Sequence, residues 1–263
     1  MALHGHPCCD VRRASALTVV YHSRRYRHGV RVVIGLLSVW LLVNGIGRAA
    51  EPAAEFLSEL ATRGYDDVAL AYLGRLEKSP SVSIEAKALI GFQRGEVLVR
   101  LAVGQRVVSR KLDFLNQAQQ SFTKFIADSP DHLRTPSAVA QLGSIQLERA
   151  RTLVQQAKDE SLEDGERADR RKQARGLFDH ATKTFLQNQA DLRARLEALP
   201  DKISQSKDSE LYEERRRLRK EYVQAQVVLA MIPFEQSASY APDSPKRRKL
   251  LGRAEQAFKE VSE

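Results

Sequence analysis

The chain predicts an all-α fold made of antiparallel helix pairs stacked side by side. Three observations carry that prediction. A pattern of a small residue, an aromatic four positions on and a small or apolar residue three after that recurs late in successive helical stretches. It reads Ala118-Phe122-Phe125, Ala174-Phe178-Ala181 and Ala254-Phe258-Val261, with a looser copy at Val68-Tyr72-Arg75. Strand signals of four to eight alternating β-branched residues are missing. The composition, 43% hydrophobic, 29% charged and only 6% aromatic, is that of long amphipathic helices rich in Ala, Leu, Glu, Arg, Lys and Gln. Stacked helix pairs more often bind proteins than do chemistry.

The first fifty residues differ from the rest. Residues 1–31 hold six arginines and a single acid, Asp10, and an apolar run with the only tryptophan, Trp40, follows. A basic region, an apolar core over 32–46 and small residues at Gly47, Ala49 and Ala50 predict a secretory signal peptide occupying 1–49. An apolar core of about 12 to 15 residues is short of the ~20 needed to span a bilayer. The alternative is an uncleaved inner-membrane anchor through 32–46. Ser23-Arg24-Arg25 is a twin-arginine pair, but Arg27 and His28 follow where apolar residues belong. The long basic lead would also fit a start codon further downstream, near Val30. Either way the chain is expected in the periplasm or cell envelope.

That segment carries most of the charge. The whole chain is +9, but 1–49 contain seven arginines and one aspartate, leaving 35 basic and 32 acidic residues, or +3. The basic balance therefore does not predict a nucleic-acid surface. Cys8 and Cys9 both precede the apolar core, so the remainder has no disulfide and no thiolate site.

From residue 53 to 263 the chain divides into four expected pairs. The first covers about 53–80. Phe56, Leu57 and Leu60 form one stripe, Gly64 ends the first helix in the left-handed conformation glycine takes cheaply, and Ser79-Pro80 stops the second. The second pair, about 84–130, opens on the Ser83 cap. Gly91 and Gly95 sit inside its first helix, where each costs ~1 kcal/mol relative to alanine, so their spacing predicts close approach of a neighbour. The third, about 135–200, opens on Thr135 as a cap before Pro136. Polar residues 159–169 predict a loop before a second helix starting near Arg170. The fourth, about 208–263, is expected to break at Pro233 and resume near Ser244-Pro245. Phe178, Phe185, Leu192 and Leu199 fall seven apart, as do Leu211, Leu218, Ala225 and Ile232, like coiled-coil seams.

The stretch from Tyr65 to Pro80, with Val68 and Tyr72, resembles the second helix of a tetratricopeptide repeat. Ala118, Phe122, Phe125 and Pro130 keep the same spacing, Ala174, Phe178 and Ala181 keep it without the proline, and Val139, Leu142 and Gly143 look like the start of a first helix. The pattern is also similar to the N-terminal part of large exported tetratricopeptide proteins of planctomycete-type bacteria. The resemblance implies an irregular tetratricopeptide-like solenoid whose small residues let paired helices approach and whose aromatics fill the gap to the next pair. Equivalent positions lie 50, 56 and 80 residues apart against about 34 in the family, so the array is irregular.

No nucleophile elbow, phosphate-cradling glycine loop or paired catalytic histidine is present. The run from Arg215 to Lys220 is expected to be a solvated helix face balanced by Glu213, Glu214 and Glu221. His132 and His180 lack converging ligands, and Asp159, Glu160, Glu163, Asp164 and Glu166 do not match calcium-loop spacing. The expectation is a non-catalytic protein-binding scaffold without cofactor, metal or nucleic acid. It would hold another protein or peptide near Gln93, Glu96, Arg100, Gln146 and Arg149, which are polar beside the apolar stripe. The alternatives are a helical bundle that self-associates through the two seams at 178–199 and 211–232, or an adaptor segment of a longer protein.

Overall fold

The computed structural model describes residues 53–262; the basic leader and the apolar run at 32–46 lie outside the described residues. Among the described residues all regular structure is α-helical. The helices are α1 (Ala53–Thr62), α2 (Asp66–Lys78), α3 (Ile84–Gly104), α4 (Val108–Asp128), α5 (Thr135–Gln156), α6 (Asp164–Glu197), α7 (Ser209–Ser237) and α8 (Pro245–Ser262). No described helix is long and apolar enough to cross a membrane.

Local chemistry sets the helix ends. Gly64 takes φ 73° just past α1, where an L side chain would be strained. The Ser83 hydroxyl accepts from the Ala86 N–H at 3.2 Å, capping α3. Thr135 behaves differently from its expected role. It is the first residue of α5, and its hydroxyl donates to the Ser129 carbonyl at 2.8 Å, so it ties down the preceding turn instead of capping.

Two further expectations give way. The loop expected over 159–169 is shorter, because α6 already begins at Asp164. Asp164 and Glu166 fall in its first turn, where the helix dipole favours acids. Asp159 closes the turn before it by accepting from the Ser161 N–H at 3.0 Å. The second concerns Pro233, which does not end α7; the helix runs on to Ser237. A proline removes one backbone bond and clashes with the turn before it, costing about 3 kcal/mol in a helix interior. Here the last turn is held from outside. Glu235 accepts two bonds from Arg151 at 2.8 and 2.7 Å, and Gln236 donates to Asp179 at 2.9 Å.

Each helix packs mainly on its neighbours in sequence, and the tightest pairs are α3 with α4, α5 with α6 and α7 with α8. Inside α3/α4, Leu115, Ala118, Phe122 and Phe125 of α4 are all buried. They share one core with Phe92, Leu98 and Ala102 of α3 and with Ala138 and Ile145 of α5. A Cβ placed on Gly95 would lie 2.6 Å from Phe122 Cζ, so the ring occupies the space that glycine leaves. Gly91 serves a milder approach: its Cβ would sit 3.5 Å from Phe125 Cβ and 3.6 Å from the Ser121 carbonyl. The pair α5/α6 repeats the device, with Phe185 Cε2 2.6 Å from a Cβ on Gly143. The aromatic therefore seats first on its own partner helix, not only in the gap to the next pair. Ala174, Phe178 and Ala181 are buried beside it, and Leu142 is half-buried next to Gly143.

The looser first copy is out of register by one residue. Val68 is 46% exposed and Tyr72 only half-buried, whereas Ala69 and Leu73 are fully buried. The packing triplet is thus Ala69-Leu73-Leu76. Tyr72 instead meets Phe56 of α1 edge-on at 4.8 Å, and Leu73 joins a core with Leu57, Leu60, Ile90 and Val97. Pro80 and Pro130 are exposed in the turns after α2 and α4. The last copy is covered in part: Ala254 is buried, Val261 half-buried and Phe258 43% exposed.

The two seven-residue seams do not face outward. Phe178 and Phe185 of one and Ala225 and Ile232 of the other lie in a single core, so these stretches close on each other within one chain; only Leu211 of the eight reaches the exposed class. Polar ties then join consecutive pairs. Arg94 reaches Glu77 at 2.7 Å and Arg100 reaches Asp66 at 2.8 Å between α3 and α2. Glu148 of α5 bonds Lys111 of α4 and Arg151, and Arg151 carries the chain of charges on to Glu235.

The glycine fit yields a graded prediction. Gly95→Ala should lower stability by about 1–3 kcal/mol, because a closely packed ring must move. Gly176→Ala in α6, where nothing lies within 4 Å, should instead raise it by up to ~1 kcal/mol through helix propensity. Urea unfolding of the two variants reads the difference, and equal shifts would contradict the fit.

Candidate functional site

Helices α1, α3, α5 and α7, with Phe185 of α6, present side chains to two adjoining cavities of about 360 Å³ each. The cavities share Phe92, Glu96 and Arg134 in their walls, which makes them one trough. Helical spacing explains who reaches it. Phe92, Glu96 and Arg100 fall four apart on α3, Ser137, Gln141 and Ser144 fall four and three apart on α5, and Arg217, Glu221, Gln224 and Val228 do the same on α7. Leu57, Ser58 and Ala61 of α1 close one end.

The floor is apolar and the walls carry paired charges. Phe92 is 4% exposed, and the Arg134 guanidinium lies 5.9 Å from its ring centre, within cation–π range. Arg217 donates to the Leu133 carbonyl at 2.6 Å and approaches Glu221 at 3.5 Å. Ser137 donates to Glu221 Oε1 at 2.7 Å, while Glu221 Oε2 is buried without a partner. Burial raises the Glu96 carboxyl above the ordinary carboxylate range, against the opposing pull of Arg100 and Arg134. Beside the trough, burial holds His132 below the usual imidazole value, helped by Arg134 and Arg217. Its Nδ1 accepts from the Arg134 N–H at 3.0 Å.

The structure gathers three of the five expected partner residues. Gln93, Glu96 and Arg100 all line the trough. Gln146 and Arg149 do not; Gln146 accepts from Thr184 of α6 at 3.3 Å, and Arg149 bonds Asn116 of α4. They stand on the flanks of α5 and hold its neighbours. The expected solvated run on α7 is divided in the same way. Arg215 reaches backbone carbonyls at Pro200 and Asp201 and Arg216 reaches Glu213, whereas Lys220 lines the trough. Arg134, Ser137 and Gln224 escaped the sequence reading, and Lys220 and Glu221 entered it only as parts of a solvated face. For Ser137 the one signal was a polar stripe on α5 at 137, 141 and 144, and periodicity marks such a face without saying which faces converge.

Chemically the trough offers donors, acceptors and an apolar floor along a length of several helices. Among the described residues no group of three or more His, Cys, Asp or Glu could hold a metal ion. Ser137 donates to the Glu221 carboxylate, and Lys220 stands in the same wall. No family model, curated protein or solved structure matches this chain.

Glu96 gives a pH-dependent prediction. Its carboxyl is raised in the fold, so the ionised form destabilises the protein above that raised value, and the penalty disappears as pH falls through it toward the unfolded value. Glu96→Gln should therefore unfold at higher temperature than the parent at pH 7, with the gap closing by about pH 4. Thermal melts across that range would read it, and a constant offset at every pH would contradict the buried-carboxylate origin.

Proposed function

We propose that this protein is a non-catalytic scaffold of a bacterial cell envelope, its pairs stacked as an irregular tetratricopeptide-like solenoid. It receives a segment of another protein in the trough between α1, α3, α5 and α7. The observation that carries this reading is the continuity of the trough through Phe92, Glu96 and Arg134 across helices from four successive pairs. A trough of that length with an apolar floor and polar walls suits an extended or helical peptide better than a compact metabolite, for which enclosed pockets are usual. The repeat pattern and the export-signal composition of residues 1–49 supply the scaffold and envelope parts of the reading.

Site-specific photocrosslinking in the envelope tests it. A photoreactive residue at Gln93 or Gln141, inside the trough, should give one discrete adduct, and Arg134→Glu should reduce its yield several-fold by placing a like charge beside Glu96. The same residue at Gln187, on the exposed side of α6, should give none. Equal adducts from Gln93 and Gln187, or no effect of Arg134→Glu, would contradict the trough as the binding face.

A further inference from the structure

The turn from Ser129 to Thr135, which joins α4 to α5, carries Arg134, the cation that both cavities share. Arg134 is the N-cap residue of α5, so the turn decides where its side chain goes. A histidine holds that turn closed. His132 Nδ1 accepts from the Arg134 N–H at 3.0 Å, which leaves the ring proton on Nε2. The His132 N–H donates to the Ser129 carbonyl at 3.2 Å, and the His132 carbonyl accepts from the Thr135 N–H at 2.9 Å. The ring meets Phe125 of α4 edge-on, with centroids 5.4 Å apart. A side-chain acceptor bonded to the N–H two residues on is the arrangement of an Asx turn. Here the acceptor belongs to a side chain that titrates near neutrality.

The surroundings of the ring oppose a second proton. Burial does so first, then the cations Arg134 at the head of α5 and Arg217 of α7. From α4 the ring meets the uncharged Phe125, while Asp128 of α4 and Asp131 of the turn are exposed and form no ion pair with it. The nearby acids of the trough act on the arginines: Glu96 of α3 on Arg134, and Glu221 of α7 on Arg217 at 3.5 Å. A proton on Nδ1 turns an acceptor into a donor that faces the Arg134 N–H. It also sets a cation against both arginines of the trough wall, and Arg217 is the one that ties the turn to α7 through the Leu133 carbonyl at 2.6 Å. We propose that protonation of His132 opens this turn and withdraws Arg134 from Phe92, so that the trough loses its ligand as pH falls. The ligand part rests on the trough being the binding face. The fold favours the neutral ring, so the closed turn is fully present above the ordinary imidazole value and is lost as pH falls through the lower folded value.

Two variants isolate the acceptor. His132→Asn and His132→Ala both remove the ring from Phe125, but the Asn oxygen still bonds the N–H two residues on and does not titrate. Nuclear magnetic resonance on the full chain needs no ligand. The Arg134 amide and the Phe92 ring signals should shift with the His132 midpoint, below about 6.5. In His132→Asn they should keep their neutral-pH positions, and in His132→Ala they should sit at the acid positions throughout. Signals indifferent to His132, or moving with the same midpoint in His132→Asn, overturn the switch; the second result would assign the change to Glu96. Helix content by circular dichroism should stay level from about pH 7 to about pH 5, and its loss would overturn a local opening. Crosslinking from Gln141 then tests the effect on the ligand. Its yield should fall several-fold over that range in the parent and stay level in His132→Asn. A level yield in the parent while the signals move overturns the link to binding. No adduct at any pH removes the binding face itself, and the resonance signals then decide the switch alone.

Discussion

In each of the two central pairs a phenylalanine ring rests where a glycine of the facing helix leaves out its side chain, Phe122 on Gly95 and Phe185 on Gly143. That fit sets how near the two helices of a pair can come. Once they are near, alanines can fill the remaining contact without leaving voids, and Ala118, Ala174 and Ala181 are completely buried. A larger residue at Gly95 or Gly143 would push the helices apart and open those contacts, because interiors packed at crystal density pass on a displacement instead of absorbing it. The glycines carry a propensity cost inside their helices, and the buried ring offsets it: a fully buried Phe contributes about 1.5–3 kcal/mol.

Joining pair to pair is a more polar business. The cores do continue across pairs, as Ala138 and Ile145 beside Phe122 show, but the register between pairs is held by charges that bridge them. Glu148 is the busiest. Burial opposes its ionisation, yet bonds from Lys111 and Arg151 outweigh that and hold its carboxyl below the ordinary range. Arg151 is raised in turn, chiefly by its bond to Glu235. The group stabilises the fold above the unfolded carboxylate value and releases that contribution as pH falls below it. The same outer turn of α7 that Arg151 holds contains Pro233, so the charge bridge and the tolerated proline are one feature. The trough follows from this stacking, since helices held in one register bring Phe92, Glu96 and Arg134 to a shared wall.

Much of this was legible in the residues. Helix identity followed from periodicity, and Gly64, Ser83 and Ser79-Pro80 marked ends by chemistry that acts within a turn. Failures came where a distant contact overrode a local signal. Pro233 looked like a break because the bonds from Arg151 and Asp179 to the last turn lie far off in sequence. Val68-Tyr72 looked like the packing pair because tyrosine is aromatic, but Tyr72 turns to Phe56 and Leu73 takes the buried slot. The seams looked like surfaces for self-association because a seven-residue repeat does not say whether its partner is another chain or the next helix. For the trough, α3 was visible as a polar edge at Gln93, Glu96 and Arg100, while the α5 and α7 walls depend on which faces converge.

The central claim is that ring and glycine act as one unit, and a double-mutant cycle on Gly143 and Phe185 tests it most directly. Gly143→Ala alone should destabilise the chain by about 1–3 kcal/mol. In a Phe185→Leu background, where the ring is gone, the same alanine should be neutral or stabilising, giving a coupling above about 1 kcal/mol. Additive effects in the two backgrounds would contradict the account, because the glycine would then be answering to something other than the ring.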